Sequence, residues 1–84
     1  MSLVVSDFAA KYPLISTRVI ERWLSIIERP ILNEDAMYEL VTYIVVYFEN
    51  TIGTLQECGG VSANLLYEME DFRDELCREI RKRV

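Results

Sequence analysis

Eighty-four residues leave room for one hydrophobic core and one domain, 1–84. An apolar fraction of 51% rules against a disordered chain, and in so small a volume it raises the expectation of self-association. The net charge of −5, the absence of histidine and the presence of only two cysteines argue against a basic nucleic-acid binder, a zinc module and a secreted disulfide scaffold. The charge is unevenly spread: residues 1–32 carry +1, residues 33–77 carry −9 and residues 78–84 carry +3, so local basic surfaces remain at both ends.

The opening "MSLVVSDF" lacks the basic start and long apolar run of a secretory signal. Ser6 reads as the N-cap of a short helix, about 7–12, that stops at Pro13. Ser16 opens a second helix, about 17–29, ended by Pro30. One side of it holds Val19, Ile20, Trp23, Leu24, Ile26 and Ile27, and Arg18, Arg22 and Arg29 form a row opposite.

The segment "FAAKYPLISTRVIERWL" combines a short helix bearing Ala9 and Ala10, a turn, and a helix with Val19, Ile20, Arg22 and Trp23. Over these 17 of 84 residues the chain resembles a helix-turn-helix DNA-binding unit. That resemblance implies Arg18 and Arg22 at base edges, with Thr17 and Lys11 near phosphates. Pro13 and the length of "PLIS" depart from the family's tight turn. The alternative is a plain helical hairpin whose arginines, Arg29 included, are solvated or meet an acidic partner surface.

Asn33 caps the third helix, about 34–57, with Glu34 and Asp35 placed to complement the positive helix start. The stretch "LVTYIVVYFEN" inside it has the β-branched and aromatic content of a strand. As a strand it would be apolar on both faces, and the chain offers at most "LVV" as a neighbour. As a membrane span it is too short, nine uncharged residues between Glu39 and Glu49 against about 20 needed. A helix remains. At 100° per residue its apolar side chains, Tyr43 and Tyr47 among them, fill an arc of roughly 200°, which calls for neighbours on two sides. The expected contact surface for another chain is Tyr38, Val41, Val45, Val46 and Phe48, because tyrosine joins a large contact area to a polar tip.

Gly59 or Gly60 supplies a left-handed stop, and Ser62 caps a last helix, about 62–83. Leu65, Met69, Phe72, Leu76 and Ile80 make its apolar line, and its basic end "REIRKRV" suits the helix dipole. Cys58 and Cys77 are too far apart along this helix to bridge, which points to free thiols in a reducing cytoplasm.

Without histidine the commonest general base and zinc ligand are missing, and the acids of "EMEDFRDE" lack the loop and glycine of a calcium site. The expectation is therefore an all-α bundle of three main helices plus a short N-terminal one. It would be non-enzymatic, with no cofactor, metal, membrane or small-molecule substrate. It would act as a protein-interaction module (adaptor, inhibitor or regulator), as a homodimer formed through the third helix. The alternative is a small helix-turn-helix regulator using residues 7–29.

Overall fold

The structure, a computed structural model, describes residues 4–82, and these form four helices and no strand. Helix α1 spans Val5–Lys11, α2 Thr17–Ile27, α3 Glu34–Cys58 and α4 Ala63–Arg81. The molecule is an all-α bundle of three main helices with a short N-terminal helix. Position 83, the expected end of the last helix, lies outside the described residues, as does the end of the basic tail.

Local chemistry accounts for most helix ends. The Asn33 side chain accepts the Ala36 N–H at 2.8 Å, and Ser62 Oγ accepts the Leu65 N–H at 3.1 Å, each satisfying a donor the first helical turn leaves open. Gly59 and Gly60 take φ of 71° and 72°, the left-handed region where a Cβ is costly, and so end α3. Helix α2 stops at Ile27, two residues earlier than expected, because Pro30 disfavours helical backbone at the residue before it. Ser6 is not a cap. Helix α1 already begins at Val5, since Val5, Phe8 and Ala9 all pack on the core and tertiary contact extends the helix backwards. Ser16 stands at the start of α2 but its side chain makes no capping hydrogen bond.

Helix α4 lies beside both α3 and α2, and α1 packs on α2. Their inward stripes are Ile20, Trp23, Leu24 and Ile27 of α2, Met37, Val41, Ile44, Phe48 and Ile52 of α3, and Phe72, Leu76, Cys77 and Ile80 of α4. Tyr12 and Ile15 close the core from the α1–α2 turn. Val19, expected inside, is 40% exposed because the buried stripe of α2 is narrow. An aromatic chain runs through the interior: Phe8 and Tyr12 on Phe72, Phe72 on Phe48 at 6.0 Å, and Phe48 on Trp23 at 5.2 Å. Helix α3 thus has α4 alongside and meets α2 through the Trp23 ring, which leaves part of its wide apolar arc uncovered.

The bundle is flat, 40 × 26 × 16 Å. Its radius of gyration is 13.2 Å, where a compact chain of this length has about 12 Å. It exposes 5700 Å², where a compact protein of this mass exposes about 5,200 Å².

Candidate functional site

The side of α3 opposite Met37, Val41, Ile44, Phe48 and Ile52 faces solvent, where charged residues are the usual occupants. Here Tyr38 is 61% exposed, Tyr43 54%, Val46 49% and Tyr47 43%. With Glu39, Thr42 and Asn50 they line a shallow open depression in which Glu39 is the sole charge. The Trp23 ring lies tilted 5.9 Å from Tyr43 and edge-on 5.1 Å from Tyr47, and the two tyrosines stand 6.3 Å apart. The core tryptophan thereby holds two surface rings in place, so less rotamer entropy is lost when something docks on them.

Of the five side chains expected at this surface, Tyr38 and Val46 are on it. Val45 is half-buried against the core. Val41 and Phe48 lie inside, 9% and 2% exposed, with Trp23 and the Phe72 ring of α4 packed on Phe48. Tyr43 and Tyr47 take their place. A helical wheel puts both on the flank of the apolar arc, and only the position of α2 decides that Trp23 reaches their edges and leaves their outer faces open.

The hairpin residues are divided too. Arg18, Arg22 and Arg29 are exposed and form no ion pair among the described residues, and Thr17 is exposed at the first turn of α2. Lys11 instead pairs with Glu75 of α4, which also receives Arg78 at 2.9 Å. Two further α4 acids hold the turn: the Tyr12 hydroxyl donates to Asp71 at 2.8 Å, and the Leu14 N–H donates to Glu68 at 2.9 Å. Glu68, Asp71 and Glu75 sit three and four residues apart, one stripe of α4, and together they clasp the hairpin. The hydrogen bond from Lys11 holds the Glu75 carboxyl below the usual range against a smaller opposing effect of burial. Burial, then the hydrogen bond to Asp71, raises the Tyr12 phenol far above its ordinary value. The clasp occupies the Lys11 ammonium and sets carboxylates beside the turn, which is unfavourable for a phosphate backbone.

Cys58 is exposed and Cys77 is buried, both as free thiols, and burial pushes the Cys77 thiol up, away from the reactive thiolate. Among the described residues no group of cysteine, aspartate and glutamate side chains is arranged to hold a metal ion, and no helix is long and apolar enough to cross a membrane. No protein-family model matches the chain, and comparison with curated proteins and with solved structures returns no match.

Proposed function

We propose that this protein is a small non-enzymatic interaction module that self-associates through the outward face of α3. The observation that carries the reading is the contiguous exposure of Tyr38, Tyr43, Val46 and Tyr47 on a surface with one charge, in a chain otherwise rich in acids. A solvated helix face gains nothing from three tyrosines, whereas aromatic residues with few charges are what the centre of a protein interface contains. A second copy fits better than an acidic or basic partner, because the patch is almost uncharged and the flat bundle lacks a layer on this side. The exposed arginines Arg18 and Arg22 of α2, without an ion pair among the described residues, and the acids of α4 would form the charged rim that chooses orientation. Such a module works as an adaptor, inhibitor or regulator, and its free thiols suit a reducing, cytoplasmic setting.

Light scattering across a concentration series tests this. The unmodified chain is expected to pass from monomer to dimer, and Val46→Glu or Tyr38→Glu to weaken the dimer with helicity unchanged by circular dichroism. A strictly monomeric chain at the highest concentrations overturns self-association.

One observation favours a second reading. Arg18 and Arg22 stand one turn apart on the open side of α2 without an ion-pair partner among the described residues, as DNA contacts of a helix-turn-helix regulator would. Duplex binding at low salt that falls when both become alanine supports it, and absence of binding there removes it.

A further inference from the structure

The proposed self-association has a legible geometry. Along the outward face of α3, Ala36, Glu39, Tyr43, Val46, Asn50 and Gly53 recur at alternating steps of three and four. That is the spacing of a helix-pairing seam, and it lies opposite the core stripe. Its most informative member is Gly53. Glycine is among the poorest helix formers, yet Gly53 sits within α3 at an ordinary helical φ. A Cβ built there meets no atom within 4 Å, so nothing in the described chain needs a glycine at this place. A glycine that serves no neighbour of its own chain fits the close approach of another.

Resting on the reading that α3 self-associates, we infer that two copies pair antiparallel along this seam, about a two-fold axis that crosses it between Tyr43 and Val46. In that register Tyr43 meets the partner's Val46, so a large side chain lies over a small one twice per dimer. Glu39 meets the partner's Asn50, whose amide can donate to the carboxylate. Gly53 meets the partner's Ala36, bringing the backbones close at both ends. The seam from Ala36 to Gly53 is about 26 Å long. Parallel pairing in register loses the large-on-small match and the polar pair. It sets Glu39 against its own copy, stacks Tyr43 on Tyr43, and aligns the two helix dipoles. A polar pair in an otherwise apolar seam is a known way to select one register.

Disulfide trapping reads the register directly. In a Cys58→Ser background, Glu39→Cys and Asn50→Cys are made singly and together, with helicity checked by circular dichroism. Within one helix these positions stand about 16 Å apart, beyond disulfide reach, so any bond must join two copies. The double variant is expected to form a covalent dimer under mild oxidation, and neither single variant to do so. Efficient trapping by a single variant overturns the antiparallel register. So does failure of the double variant to trap while the unmodified chain is dimeric by light scattering; in that case self-association stands. A strictly monomeric unmodified chain overturns the proposed function, and the register with it. A second measurement avoids cysteine: Asn50→Glu sets like charges together twice and should weaken the dimer by about tenfold. Adding Glu39→Lys should recover that loss, and no recovery counts against the Glu39–Asn50 contact.

Discussion

Phe72 is fully buried and touches three rings, Phe8 at 6.1 Å, Tyr12 at 5.3 Å and Phe48 at 6.0 Å, so one side chain ties α1, the turn and α3 to α4. Phe72→Ala is expected to cost about 3–5 kcal/mol, much of the stability of a domain this small. A urea titration would show the loss as a lowered midpoint. Tyr12→Phe keeps the ring and removes only the hydroxyl that donates to Asp71. Because the Asp71 carboxylate is exposed and can return to water, that change should cost only about 1 kcal/mol. At the surface, Tyr43 and Tyr47 can be ready for contact because Trp23, 4% exposed, fixes them from beneath.

Among the elements, α1 is the weakest by itself, with seven residues and none fully buried. Its attachment relies partly on the carboxylates of α4. Glu75 has a folded pKa below its unfolded one, so its contribution is present above the ordinary glutamate range and is lost as pH falls through the folded value. Urea midpoints should therefore drop from about pH 5 downward, and Glu75→Gln should flatten that slope. Helix α3 carries a different signature. Gly53→Ala should raise the stability of the monomer by about 0.5–1 kcal/mol, since the added methyl meets nothing and helix propensity improves. Thermal melts at low concentration would show the gain. In a dimer paired as proposed the same methyl would stand against the partner's Ala36, so affinity should fall. Stability and affinity moving in opposite directions would be the mark of a glycine kept for another chain.

As a whole, the molecule is a slab with one finished side and one open side. If α3 closes the open side against a second copy, folding and association are linked, and the melting temperature should rise with protein concentration. A melting temperature independent of concentration over two decades would contradict that coupling. The acid clasp and the arginine row also differ in their pairing. Lys11 pairs with Glu75, whereas Arg18, Arg22 and Arg29 are exposed and form no ion pair among the described residues.

By itself the sequence determined the helices and most of their ends. Asn33, Ser62, Gly59, Gly60 and the two prolines act on their own backbone neighbours, so their effects can be read without knowing the fold. It also determined the core stripe of α4, because three- and four-residue spacing leaves Phe72, Leu76 and Ile80 little choice of face. Tertiary structure alone decided how the wide apolar arc of α3 is shared between core and solvent. Val41 and Phe48 went inside and Tyr43 and Tyr47 stayed at the rim, because that division depends on where α2 and α4 lie, and a helical wheel carries no neighbours. The clasp was equally hidden. Lys11, Tyr12 and Leu14 meet Glu75, Asp71 and Glu68 across more than fifty residues of chain, a pairing that only the packed helices bring about.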